Sequence, residues 1–164
     1  MLFVVALIGV IASMAIPGLM RARGAAQASS ALGSLRVINS AELSFAITCG
    51  LGFYSPDLPS LGVAPPGTAE AFLPADMASG FTFMKSGYNF SVGGVSYPGA
   101  PDTCNGMGAG YASAGYAAVA DPLSTTGTTP YFGTNSDGVI YQHTSSLAMT
   151  MPEASSPPAG HPLR

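Results

Sequence analysis

Charge is scarce in this sequence. Five Lys or Arg and eight Asp or Glu stand among 164 residues, a charged fraction of 8%. An ordinary soluble domain carries roughly 25%. The five basic residues, Arg21, Arg23, Arg36, Lys85 and Arg164, form no cluster, so the chain has no electrostatic footprint for nucleic acid. Histidine is nearly absent too. His143 closes an expected strand and His161 sits in a Pro- and Ser-rich tail, and neither has a Ser or Cys at a spacing that would make it the base of a nucleophile. No Cys or His pair has the spacing of a metal site. Asn135, Asp137 and Gly138 supply half of a calcium loop, but no Glu follows at loop distance, and a hairpin turn uses the same residues. Gly93-Gly94 and the glycines of 106–110 open no helix, so they are not phosphate loops. No catalytic, cofactor or metal site is expected. The composition suits a protein whose surface is largely covered by neighbours, or one exposed outside the cell with Ser, Thr and Gly as its polar groups.

What is present begins at the N-terminus. Residues 1–20, MLFVVALIGVIASMAIPGLM, carry no charge, and only Gly9, Ser13, Pro17 and Gly18 fall outside the apolar set. Twenty helical residues at about 1.5 Å each span roughly the 30 Å hydrocarbon core of a bilayer. Apolar residues occupy every face, so such a helix is expected to be buried all round, in lipid or among other helices. A secretory signal would place a basic residue ahead of a shorter run and a break behind it; here the first basic residue is Arg21, and a second helical pattern follows directly. Pro17 removes one hydrogen bond and crowds the preceding turn, so a kink or local melting is expected over 13–17.

Residues 24–48 continue as an amphipathic helix. Ala28, Ala31, Leu32, Leu35, Ile38, Ala41 or Glu42, Phe45 and Ala46 fall near one stripe. Cys49-Gly50-Leu51-Gly52 ends it, with glycine available for a left-handed cap. Residues 49–80 form a connection in which Pro56, Pro59, Pro65, Pro66 and Pro74 forbid a long regular element, with room for one helical turn over 68–77. The head follows over 81–150. Residues 81–85 and 88–92 alternate about Ser86-Gly87 and read as a hairpin, with Phe81, Phe83, Tyr88, Phe90 and Val92 as candidate core. A third strand is expected over 111–120, and two more, over 131–134 and 139–142, flank the turn Asn135-Ser136-Asp137-Gly138. Asp121-Pro122 reads as a turn. Residues 124–129 are a run of possible O-glycosylation acceptors, and the tail, 151–164, is expected to be loose. The two cysteines, Cys49 and Cys104, are 55 positions apart. In an oxidising compartment a disulfide is the simplest reading, tying the helix end to the head for roughly 4 kcal/mol; two buried free thiols are the alternative.

The segment LFVVALIGVIASMAIPGLMRAR resembles the N-terminal segment of type IV pilins and the related type II secretion pseudopilins. The likeness lies in the apolar run, the step Ala15-Ile16-Pro17, and the small and basic residues behind it. The continuation AAQASSALGSLRVINSAELSFA is similar to the pilin helix, with Leu35, Arg36, Asn39 and Ala41 in the usual run. Lys85-Ser86-Gly87-Tyr88, Ala120-Asp121-Pro122 and Gly138-Val139-Ile140 add shorter likenesses. In that family a leader peptide is cut away just ahead of the mature chain, and a glutamate lies a few residues into it; both positions are expected to fall before Met1.

The resemblance implies an α+β, type IV pilin-like fold: a long N-terminal helix, kinked near Pro17, packed on a four- or five-stranded antiparallel sheet. The chain would be a structural subunit of a pilus or pilin-like extracellular filament. Leu2, Phe3, Val4, Val5, Leu7, Ile8, Val10, Ile11, Met14, Ile16, Pro17 and Leu19 would form the filament core. Its partners would be copies of itself in a helical homo-oligomer, the inner membrane before assembly, a prepilin peptidase and the assembly machinery. Its final place would be the cell surface. The alternatives are a type II secretion pseudopilin and, further off, a membrane-anchored adhesin that does not polymerise.

Overall fold

The computed structural model describes residues 2–124 and 129–163; within the first helix, it describes the side chains of Val4, Leu7, Ile8 and Ile16 and of every residue from Gly18 onward. Four of the possible glycan acceptor-run positions, 125–128, lie outside the described residues. One helix dominates. α1 spans Leu2–Thr48, 47 residues and roughly 70 Å at about 1.5 Å per residue. Its backbone stays helical through Pro17, so the local melting expected over 13–17 does not occur: one missing donor leaves the bonds of the turns on either side intact.

The expected stripe is the buried one. Ala31, Leu35, Ile38, Ala41, Phe45 and Ala46 are buried, and Ala28 and Leu32 half-buried. Glu42 is buried beside Ala41 instead of replacing it. The other face carries Arg36, Val37, Ser40, Leu43, Ser44 and Ile47, all exposed. After Thr48 the chain turns sharply: Gly52 N–H bonds Ala46 O, and Leu51 and Gly52 take left-handed φ values of 51° and 96°.

The Pro-rich connection holds two single-turn helices, α2 (Leu58–Leu61) and α3 (Ala75–Ala78). Asp57 caps α2 by accepting a bond from Ser60 N–H, and Pro59 occupies its first turn, where a missing donor costs nothing. Leu58, Leu61, Leu73 and Met77 close one end of the core.

The head is a six-stranded antiparallel meander in chain order: β1 (Thr82–Lys85), β2 (Tyr88–Gly93), β3 (Ala117–Pro122), β4 (Tyr131–Asn135), β5 (Ile140–His143) and β6 (His161–Pro162). Ser86 and Gly87 join β1 to β2 with φ of 51° and 81°, the mirror-image turn that matches strand twist. Side chains alternate cleanly. Phe83, Tyr88, Phe90, Ala118, Ala120, Phe132 and Ile140 face the core shared with α1, while Val119 and Tyr141 face the other side with Leu147 and Met151.

Four expectations are corrected. Phe81 is 70% exposed, because it lies in the bend before β1 and outside its pleat. The third strand begins at Ala117 instead of Tyr111; the preceding residues form a loop pinned by bridges from Ser113 to Tyr54 and Ser96. Asp121-Pro122 is no turn but the end of β3, where Asp121 pairs with Asn89 and Pro122 with Tyr88. The tail is not loose, and it supplies the sixth strand. Leu147 and Met151 bury against β3–β5, made possible by Gly133, where a Cβ would lie 3.1 Å from both side chains. Asn135 Nδ2 donates to Pro152 O and Ser155 O, and Ser136 N–H donates to Glu153 O. The Glu153 carboxylate reaches across to Val95 N–H and Ser113 Oγ.

Cys49 and Cys104 are joined, with Cα atoms 4.8 Å apart. This is the expected bridge, and Cys104 N–H also bonds Cys49 O at 3.2 Å.

Because Leu147 is fully buried in the smaller core, Leu147→Ala should destabilise the head by about 2–5 kcal/mol. Limited proteolysis checks the location: cleavage after 144 should accelerate while 82–122 stays protected.

Candidate functional site

Two parts of α1 differ. One is anchored in the head, and the described side chains of the other are exposed. An apolar stripe alone lets a helix slide by a turn; three polar side chains prevent it. Near the top of the docked half, Ser30 Oγ bonds Ser86 Oγ at 2.8 Å in the β1–β2 turn, and the Gln27 amide lies over Gly87. In the middle, Asn39 is fully engaged. Its Nδ2 donates to Thr134 Oγ1 at 3.0 Å and to Gly138 O at 3.3 Å, and its Oδ1 accepts from Tyr116 Oη at 2.9 Å. One turn further, Glu42 Oε2 accepts Ser55 N–H at 2.9 Å. The disulfide then fixes the end of the helix.

Glu42 is the feature that sequence reasoning placed only as an alternative to Ala41. It has no exposed surface, and its Oε1 has no hydrogen-bond partner among the described residues. Burial pushes the carboxyl up to about 8; the bond from Ser55 N–H opposes this, and the nearby charge of Asp57 adds to it. Burial likewise raises the Tyr116 phenol, with Glu42 and Tyr54 adding to the effect. The phenol rings of Tyr54 and Tyr116 are 5.2 Å apart.

Of the expected filament-core residues, Val4, Leu7, Ile8, Ile16 and Leu19 are each more than half exposed, as is Met20. The side chains of Leu2, Phe3, Val5, Val10, Ile11, Met14 and Pro17 lie outside the described residues. Among the described residues no helix is long and apolar enough to cross a membrane. The expectation of a spanning run rests on the whole of 1–20, most of whose side chains are outside that set. Lower on the same helix Val37, Leu43 and Ile47 are also exposed, and Leu43 lines an open cleft of about 450 Å³ between Arg36, Tyr54, Tyr116 and the Asp137–Gly138 turn.

The polar side chains of the 135–138 turn and His143 serve the backbone. Asn135 Oδ1 accepts Asp137 N–H, Asp137 Oδ2 accepts Ser155 N–H, and Gly138 N–H bonds Asn135 O, which closes the hairpin turn. His143 Nδ1 meets Ser145 Oγ at 2.9 Å, but the same nitrogen accepts Ser145 N–H at 3.1 Å, a local turn contact at the surface. Among the described residues no three His, Cys, Asp or Glu side chains group to hold a metal ion.

Asn39→Ala removes three bonds at once and strands the Tyr116 hydroxyl and Thr134. A loss of about 2–3 kcal/mol is expected, read as a lower urea midpoint with unchanged slope.

No family model, curated protein or solved structure matches this chain.

Proposed function

We propose that this protein is a structural subunit, a type IV pilin-like protein that polymerises through its N-terminal helix. One observation carries the reading. Val4, Leu7, Ile8, Ile16, Leu19 and Met20 are exposed apolar side chains on the undocked half of a 47-residue helix whose other half is bound to a folded head. A rod of that composition needs a partner outside its own chain. The resemblance of 2–23 and of the docked half to pilin helices names the partner as further copies of the same helix.

The mechanism is burial. If a filament covers about 1,000 Å² of apolar helix surface per subunit, the gross gain is on the order of 25 kcal/mol, before the entropy of association is subtracted. The inner membrane offers the unassembled helix a comparable refuge, so extraction needs work from assembly machinery, and a peptidase that trims the chain would act first. A head-to-tail contact that does not close on itself gives a fibre. The finished filament lies at the cell surface, an oxidising setting that suits the Cys49–Cys104 bridge.

The test is a charge on the rod. Ile8→Asp, in the full chain expressed in its own cells, should abolish filaments in the sheared surface fraction under electron microscopy. The head should keep its disulfide and its sheet signal in circular dichroism. Normal filaments from this variant would refute assembly by helix burial.

A further inference from the structure

We propose that Glu42 is a proton-dependent latch that closes the 53–57 segment onto α1. Its surroundings disfavour the charged form. The carboxyl has no exposed surface, one oxygen accepts Ser55 N–H, and the other has no partner among the described residues. Around it stand the Tyr54 phenol and the Asp57 carboxylate from the connection and the Tyr116 phenol from the loop before β3. On α1 itself the nearest cation in sequence, Arg36, is exposed on the cleft wall, whose far side is Asp137. The one ion pair formed among the described residues, Lys85 with Asp76, involves neither. An ionised Glu42 would therefore be a buried anion with a second carboxylate beside it and no counter-charge among the described residues, an arrangement that water relieves only if the Ser55 peptide lifts.

The opening is confined to the Ser55 peptide and leaves the head folded. Ser55 is itself fully buried, and among the described residues its N–H is held by Glu42 alone; its hydroxyl bonds Asp57 O within the segment. Either side of it the chain is tethered, by the bridge between Tyr54 and Ser113, by Gly94 N–H on Pro56 O, and by the Cys49–Cys104 disulfide that keeps the helix end in place. The sign follows from the closed-state carboxyl titrating near 8 against 4.5 for a free one. Below 4.5 both states are protonated and the latch is strongest. Between 4.5 and 8 the open state gives up its proton and the closed state keeps it, so the opening constant rises about tenfold per pH unit. Above 8 both are ionised and the dependence levels off. The device does not rest on the filament reading, since it concerns the seat of α1 on its own head.

The test uses the full chain in detergent micelles with the disulfide intact. The Glu42 side-chain carboxyl carbon is followed by NMR from pH 4 to 10, with amide exchange of 53–57 corrected for its intrinsic pH dependence. The expected result is a carboxyl midpoint near 8. With it, protection at Ser55 should fall on the order of 100-fold between pH 5.5 and 8 while β3 and β4 stay protected. In Glu42→Gln that fall should vanish. A midpoint in the ordinary carboxylate range overturns the proposal, as does Ser55 protection that ignores pH or tracks it equally in E42Q. Should E42Q fail to fold, the wild-type carboxyl midpoint and Ser55 protection together decide.

Discussion

The head is organised by the contact between the buried stripe of α1 and one face of the sheet. Leu35, Ile38 and Phe45 share a core with Tyr88, Phe90 and Phe132, and neither partner closes that core without the other. A meander of short strands with one apolar face bare would be an aggregation hazard, and an Ala- and Ser-rich helix has little reason to settle on a sheet except through those few large side chains. The α1 stripe places small residues between them, Ala31, Ala41 and Ala46, all buried. Such a surface grips well but indexes poorly. Ser30, Asn39 and Glu42 supply the index, each meeting a different part of the head, and the disulfide makes the last point covalent.

The opposite face of the sheet is closed by the chain's own end. Leu147 and Met151 lie over Val119 and Tyr141, and the backbone beyond is bonded to Asn135 and Ser136. A segment of Pro, Ser and Ala is a poor source of hydrophobic energy, and here the energy comes from only two large side chains. The rest is hydrogen bonding, with Glu153 as the hub joining the tail to Val95 and Ser113. This explains why composition misleads about the tail: it measures what a segment can bury by itself, whereas this one is held mainly through its main chain and one carboxylate.

Periodicity made much of the architecture legible. Seven of the eight expected positions on the α1 stripe are simple apolar residues at helical spacing, and the hairpin about Ser86-Gly87 follows from turn chemistry that demands positive φ. The cysteines could be paired on paper because there are only two. What failed did so where tertiary contacts override local signals. Pro122 looks like a breaker, yet the last position of a strand needs no ladder donor there. Phe81 looks like core, yet one bend removes it from the pleat. Tyr111 to Ser113 look like strand, yet they bridge to Tyr54 and Ser96 across the fold. Glu42 was legible only as an intruder in an apolar stripe. Whether its carboxyl was satisfied depended on Ser55, thirteen residues on, which no spacing rule addresses.

A buried carboxyl without a counter-charge is a poor way to stabilise a core; a well-packed apolar side chain at 42 would do as well or better. What an apolar residue cannot do is fix the 53–57 segment to one place on the helix, or release it when a proton leaves. The same few turns of α1 turn Glu42 inward and Val37, Leu43 and Ile47 outward. Any neighbour that packs on the outward face therefore rests on a helix whose inward side carries Asn39, Glu42 and the disulfide. On the proposed reading the undocked half of α1 gains from burial among copies at any pH, because it carries nothing that titrates between Leu2 and Met20. The docked half does carry such a group. On that reading the two parts of one helix divide the work: the charge-free stretch up to Met20 would drive association, and the part with Asn39 and Glu42 holds the head in register to it.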